Sequence, residues 1–496
     1  MTASKLTKKY FISFLCLLLT YASHAQIGIG TVTPNASSVL DITSTTQGLL
    51  MPRMTTLQRN SITSPADGLI VYDTDQRAFY YYMPATSSWV LINSGGSPRL
   101  NFKRIRSTDN LAVVLAAELA AGGGAKYVLT SNTLYEINGT VTFNLPIDLN
   151  NAYIQGLDAN EDIIAKTSGI LFDGTTGGSI RSVTITAPGA TVFNLNASSS
   201  ASTFLFRDSI IANSGSVGTV SGFGLVFASI VNFSGNTNGI TYSNIGQLLL
   251  SNQAWFSNNG GTYEKLTGIF NLVSKQGGFS NVASGAYGFD VSAAGISILS
   301  DAVLESVVFT GPAPANYVRP YTSGTYSGYN FNNSWNVRAA GIPTETDANA
   351  TGDFAMDYAV GSGLAVPFTN NLNPSDIVKV GAGTPSTVYS NLFRFSTDAA
   401  NRLRYVGKKK RIFQISGSIS FQVPAAGTYI IYIAKNGVML TQYKIYGRGA
   451  STNDIVVLPL NATTEMITND QIEVFAQRYT GSNGSIVVPN MTLTIK

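Results

Sequence analysis

The chain has 496 residues, a length that suits about three domains of ~150 residues each, and only 12% of its residues are charged, 31 Lys+Arg against 27 Asp+Glu. Its 48 Gly, 24 Tyr and 25 Phe are a composition of strands and turns, which excludes helix bundles and acidic disordered tails. The one Cys and one His, Cys16 and His24, both precede Gln26. Without them, Ser-His-Asp and Cys-His catalysis, zinc held by imidazole or thiolate, and disulfides are all closed.

Residues 1–25 read as a secretory leader. Lys5, Lys8 and Lys9 form a positive start, Phe11 to Leu19 is a short apolar run, and Ser23-His24-Ala25 sets small residues at −3 and −1 for cleavage before Gln26. The run spans about 14 Å as a helix against ~30 Å of hydrocarbon, so the mature chain is expected to hold no transmembrane segment. Leu15 precedes Cys16, where a lipoprotein signal needs a small residue. Cleavage leaves 28 of the 31 basic residues against 27 acids. A net charge of about +1 makes no electrostatic case for nucleic acid.

Residues 26–98 form the next unit. Leu69–Tyr72 and Phe79–Tyr82 predict a hairpin around an Asp/Gln/Arg turn, and Thr55 to Ile62 predicts two helical turns. The blocks Ile27-Gly28-Ile29-Gly30, Thr33-Pro34-Asn35, Gly48-Leu49-Leu50-Met51-Pro52-Arg53-Met54 and Gly68-Leu69-Ile70-Val71-Tyr72-Asp73 resemble an N-terminal module that recurs on exported proteins of Bacteroidota. The resemblance implies a surface or secreted setting and no activity. Tyr80, Tyr81, Tyr82 and Trp89 are read as core or subunit contacts in preference to a sugar-stacking platform.

Residues 99–126 are read as a connector, including Asn93–Pro98 just before it, and a capping helix. Asp109 is the expected N-cap; Leu111, Val114, Leu115 and Leu119 share a face, and Gly122-Gly123-Gly124 ends the helix. Between 127 and 310 short apolar runs recur every 7–12 residues, separated by Gly, Asn, Asp and Ser. Three strands per turn give coils of about 20–25 residues and roughly eight coils. A β-sandwich also shows short strands at such spacing. The helix-then-glycine entry, with Tyr135-Glu136-Ile137-Asn138-Gly139-Thr140-Val141, Ile147-Asp148-Leu149-Asn150 and Ile154-Gln155-Gly156, resembles the first coils of pectate-lyase-like and tailspike-like solenoids. The resemblance implies a right-handed parallel β-helix.

Residues 311–375, rich in Pro, Tyr, Asn and Gly, are read as a linker or small irregular β element. Residues 376–496 carry about eight alternating strands, with Asn436-Gly437 as a two-residue turn. Eight antiparallel strands in ~120 residues make a jelly-roll sandwich. Asn401-Arg402-Leu403-Arg404-Tyr405-Val406-Gly407-Lys408, Ile433-Ala434-Lys435-Asn436-Gly437 and Asn469-Asp470-Gln471-Ile472-Glu473-Val474 resemble the trimeric heads of viral and phage spikes, similar to the C1q/TNF jelly roll. This implies a head that trimerises.

The best carboxylate constellation is Asp158, Glu161 and Asp162, with Asp173 and Arg181 about one coil later. Stacking at ~4.8 Å would bring acids of successive coils together, as polysaccharide lyases and glycosidases of this fold use them, with Ca²⁺ or as an acid/base pair. The alternative, a solvated turn rich in Asp and Asn, is the reading adopted. Lys408-Lys409-Lys410-Arg411 is read as a solvated turn in preference to an anionic-glycan patch, and Trp255-Phe256 as packing. Asp208-Ser209-Ile210 resembles the Bacteroidota O-glycosylation tripeptide.

The sequence therefore predicts an all-β chain: a right-handed parallel β-helix capped by a short N-terminal helix, with a C-terminal antiparallel jelly-roll. It names no catalytic, cofactor-binding or metal-ligating residue and no cofactor. The expected role is that of an exported homotrimer, extracellular or on the outer cell surface, for adhesion or recognition of a glycan or surface ligand. A polysaccharide lyase or glycoside hydrolase is the runner-up, and a purely structural fibre component the third reading.

Overall fold

The computed structural model describes residues 26–92, 100–369, 376–381, 387–398 and 401–496. The expected leader 1–25 and most of the connector (93–99) lie outside them. The chain divides into two compact units, Met1–Arg99 and Leu100–Lys496.

In the first unit a four-stranded sheet runs in the order Arg53–Met54, Ile70–Asp73, Ala78–Met83, Ser88–Leu91. The expected hairpin pairs Tyr72 with Phe79 and Ile70 with Tyr81. The helix is shorter than expected, Thr56–Asn60, because Thr55 and Gln58 close a capping box at its start. Buried Asp73 holds the unit together. It accepts hydrogen bonds from Thr56 Oγ1 (2.9 Å) and the Gln76 N–H (3.0 Å), and pairs with Arg59 at 2.9 Å. Burial raises the Asp73 pKa, but the hydrogen bonds and the Arg59 charge more than offset it and hold the carboxyl below its usual range.

The second unit begins with a parallel β-solenoid. In its long sheet the described strands stack in the order of the chain, from Phe102–Arg106 through Thr203–Ala212, Leu225–Ser234 and Gln247–Trp255 to Trp335–Ala340. A second sheet of nine described strands, Tyr127–Val128 to Val318–Arg319, closes the coil. Alternation puts Phe204, Phe206, Val226 and Leu248 inside. Aromatic rings stack along the interior, with Phe233 over Trp255 at 3.8 Å and Trp255 over Tyr263 at 5.1 Å. Amides form a second ladder: Asn259 Nδ2 donates to the Phe233 carbonyl (2.7 Å), and Asn236 Nδ2 donates to Asn259 Oδ1 (2.9 Å).

The strands of the long sheet bend at one repeated corner. Ser182, Asp208, Ile230, Asn252, Gly277 and Ser306 all take positive φ, between 49° and 67°. All but Ser306 are flanked by in-register parallel pairs to the next coil, and at Ser306 the register to the last strand shifts. A left-handed residue turns the chain sharply without losing register, and only Ile230 among them is β-branched, where that conformation is strained.

The cap is two short helices, Leu111–Val114 and Ala116–Ala121, broken at Leu115, whose φ of −107° and ψ of 31° leave the helical region. Asn110, in place of the expected Asp109, caps the first; the Asp109 carboxylate instead accepts the Arg106 N–H at 2.8 Å. Leu115 is buried as expected, and Leu111 and Leu119 pack against the solenoid core. Glu118 is buried too, accepting from Lys103 Nζ and the Tyr135 hydroxyl, both at 2.6 Å. Burial and the Glu118 charge push the Tyr135 pKa to about 12.

Residues 311–369 are not a linker. Val318–Arg319 and Trp335–Ala340 continue the two solenoid sheets, while Thr351–Asp357 and Leu364–Phe368 pair antiparallel with Gly484–Ile495. Val318–Arg319 is only two residues long, and the longer strands, of five to seven residues, lie between Gly-, Pro- and Asn-rich loops that give the segment its irregular reading. The rest is a sandwich of two antiparallel sheets, one built around Arg411–Gln422 and Ile455–Met466, the other around Gly427–Lys435 and Gln471–Thr480. Phe413, Ile415, Ile419 and Phe421 face the core, and Ile412 is exposed. Among the described residues no helix is long and apolar enough to cross a membrane.

Candidate functional site

The solenoid separates the acidic constellation. Asp162 is buried, and its carboxylate accepts the backbone N–H groups of Gly139 (2.9 Å), Leu157 (2.6 Å) and Asp158 (3.0 Å). Burial raises its pKa, yet these donors hold it below the usual 3.8. Asp158 accepts the Asn160 N–H at 2.8 Å, closing the turn expected there. Asp173 lies on the second sheet and accepts from Asn194 Nδ2 at 2.7 Å, whereas Arg181 lies on the long sheet and pairs with Asp208 at 3.3 Å. Glu161 is exposed. Asp158 and Asp162 share one turn, while Asp173 and Arg181, on different sheets, each have partners of their own.

A cluster of charged groups lies where the last coil meets the sandwich. Arg394 sits between two sandwich strands with φ of 59° and is almost wholly buried. Its guanidinium donates to the carbonyls of Trp335 (2.6 Å), Glu345 (3.2 Å) and Asn332 (3.3 Å) and to Asn333 Oδ1 (2.9 Å), and it pairs with Asp347 at 3.4 Å. Asp347, in turn, accepts the N–H groups of Lys408 and Lys409, both at 2.8 Å. Lys408 Nζ donates to the Ser300 carbonyl, and Arg411 donates to the Asp347 carbonyl. The turn at Lys408–Arg411 is solvated, with Lys408, Lys409 and Lys410 all exposed, and it also clamps the solenoid through these contacts to Ser300 and Asp347; Lys410 pairs with Glu465 at 3.1 Å. A hollow of about 180 Å³ remains at this joint, lined by Arg338, Lys408 and Lys409 with Asp301, Asp347, Asn333 and Trp335. Mixed charge and amide groups suit a polar, hydroxyl-bearing or anionic ligand.

Other residues singled out by sequence resolve into packing. Trp255 is fully buried, and Ser209 is buried with its hydroxyl donating to the Arg207 carbonyl at 2.7 Å, so the tripeptide at Asp208 presents no free hydroxyl in the folded chain. Tyr82 packs edge-on against Trp89 at 5.5 Å, and Arg59 lies over Tyr80 at 4.0 Å. Sequence reasoning missed Glu118, Arg394, Asp347 and the buried pair Lys275–Glu264, 2.8 Å apart. Among the described residues, no group of three or more His, Cys, Asp or Glu is placed to hold a metal ion.

Residues 28–108 match the family described as a phage tail like trimerisation region. The match covers the segment that resembles the exported-protein module and ends just past Phe102–Arg106, the first strand of the solenoid's long sheet. The matched segment lies at the opposite end of the sequence from the sandwich, where a trimerising domain was expected. No curated protein matches the sequence. Among solved structures, the enzymatically active domain of Bacteriophage CBA120 tailspike protein 4 is 9% identical, with 90% of this chain and 77% of that chain covered at a TM-score of 0.26. Tailspike protein 2 of the same phage is 11% identical over 89% of each chain, TM-score 0.19. An Eiger TNF from S. frugiperda is 10% identical over 29% of this chain and 90% of its own, TM-score 0.18. The solenoid and sandwich assignments rest on this chain's own strand register.

Proposed function

We propose that this chain is an exported homotrimeric fibre protein that works in adhesion or ligand recognition at the cell exterior, with glycans as the ligand class. One observation carries the reading. Within the segment matching a trimerisation region, Ile29, Val32, Val39, Leu49, Leu50 and Leu57 are all left exposed. Large apolar side chains gathered in solvent on one short segment mark a surface that association covers. The leader 1–25, cleaved before Gln26, provides export, and residues 26–98 act as the surface module. The sandwich is a C1q/TNF-type jelly-roll head that adds to the three-fold contact, and the hollow between Arg338 and Lys408 is the candidate ligand site.

Light scattering on protein beginning at Gln26 is expected to give about 150 kDa, three chains of about 50 kDa; a single-chain mass overturns the assembly. A glycan panel then separates the roles. Binding without cleavage supports recognition, cleavage promotes a polysaccharide lyase or glycoside hydrolase, and no binding at all leaves a structural fibre. Asp158→Asn is expected to leave binding unchanged, because its carboxylate serves a turn.

A further inference from the structure

The two faces that the solenoid turns outward differ in chemistry. On the second sheet, the outward column Asn194, Thr219, Thr241, Lys265 is polar throughout. On the long sheet, Leu205, Phe227 and Leu249 stack in direct register over three coils, and Val303 continues the column beyond Ser274. Leu225 and Leu272 share that face two residues earlier, in a column where they alternate with Thr203 and Gln247, and Arg207, Ser229, Ser251 and Gln276 line the column's other side. All six apolar residues are half-buried, and Leu205, Phe227, Leu249 and Val303 each stand between two buried residues in sequence. An apolar column unbroken over three coils on one outward sheet face, beside a wholly polar column on the other, marks a surface that association covers.

The lower end of the stripe has relief. Tyr153 and Leu205 are separated in the column by Ser179, beside Gly178, and between them lies a hollow of about 300 Å³. Large, small, large in register is the surface into which a side chain of a neighbouring shaft can insert. The dimensions agree. Ten described strands lie along the main path of this sheet, and at ~4.8 Å per strand and ~18 Å of strand length they offer a face of ~800 Å², the share per partner of a standard interface. The trimerisation match also runs into it: residues 28–108 include Phe102–Arg106, the first strand of this same sheet.

We propose that the outward face of the long sheet, centred on Leu205, Phe227 and Leu249, is the seam along which the shafts of three copies of this chain pack. The seam rests on the trimeric reading and specifies which flank meets the partner. It leaves the polar face of the second sheet on the outside of the fibre, open to solvent or ligand.

The chain's single Cys makes the test direct. In a Cys16→Ser background, Ser274→Cys reports on the stripe and Ser243→Cys on the outward face of the second sheet, each a change of one atom. At micromolar concentration, maleimide is expected to label Ser274→Cys at least tenfold more slowly than Ser243→Cys. Adding Phe227→Asp and Leu205→Asp is expected to bring the two rates together while the circular dichroism spectrum stays that of folded protein. A three-chain mass with equal rates overturns the seam and leaves the trimer standing. A single-chain mass overturns both. Slow labelling in a single chain also overturns the seam, since another part of the same chain then covers the stripe. If the aspartate variant does not fold, the comparison of the two conservative cysteine variants decides alone.

Discussion

Arg394, between two strands of the sandwich, donates through Nη2 to the carbonyl of Trp335 at 2.6 Å, in the last strand of the solenoid. One planar guanidinium thereby ties the head to the shaft, with Asp347 as its counter-charge and the backbone of the final coil as its acceptors. Removing it leaves buried acceptors without donors. Arg394→Ala is expected to cost about 3–5 kcal/mol, seen in urea as unfolding of the sandwich separated from that of the solenoid. Arg394→Lys is expected to recover less than half of the loss, because an ammonium cannot span four acceptors in one plane. A variant that unfolds in a single transition at the wild-type midpoint removes this account of the joint.

The pair Lys275–Glu264 lies inside the solenoid, with the two side chains 1% and 0% exposed. Lys275→Met strands the carboxylate and is expected to cost about 3–5 kcal/mol, whereas Lys275→Met with Glu264→Leu is expected to return to within ~1 kcal/mol of wild type, since a buried ion pair gains little over apolar packing. Equal losses in the single and double variants would show that the pair contributes more than the absence of stranded charge.

Ile230 occupies the left-handed corner, with φ of 54°, while Asn252 fills the equivalent corner one coil on. Its side chain is more than half exposed, so little burial is lost on substitution. Ile230→Asn is expected to stabilise the chain by about 0.5–1 kcal/mol, raising the urea midpoint without changing its slope. A lower midpoint means that the isoleucine makes contacts worth more than its strain.

Acid is expected to loosen the shaft through Asp162. Its folded pKa lies below the ordinary value of 3.8. Its contribution is therefore fully present above that value and is lost as pH falls through the folded pKa. Asp162→Asn is expected to cost about 1–3 kcal/mol near neutrality, as three backbone donors lose their carboxylate, and the gap from wild type is expected to narrow as pH falls below the ordinary 3.8 and through the folded pKa. A gap that stays constant from pH 7 to pH 2.5 in urea titrations contradicts the role given to the ionised form.

Local chemistry in the sequence determined a good deal: the all-β class, the Asn436-Gly437 turn with φ of 51° and 77°, the capping box at Thr55 and Gln58, and the inward phase of Ile415, Ile419 and Phe421. Each of these signals is carried by residues a few positions apart, in alternation or in a turn dipeptide, and the backbone obeys them wherever they are packed. Tertiary structure alone decided that Asp173 and Arg181 lie on different sheets, that residues 311–369 finish the solenoid and begin the sandwich, and that Leu205, Phe227 and Leu249 align. Those outcomes depend on how many residues each coil consumes, and the coils lengthen from the Leu205–Phe227 step to the Val303–Asn336 step, so no fixed period predicts the register. The buried charges were illegible for the same reason. Glu264 and Lys275 meet across the solenoid, and Arg394 finds its acceptors in another part of the fold. A buried ion's partner is chosen by three-dimensional proximity in a low-dielectric interior, which neighbouring positions in the chain do not encode.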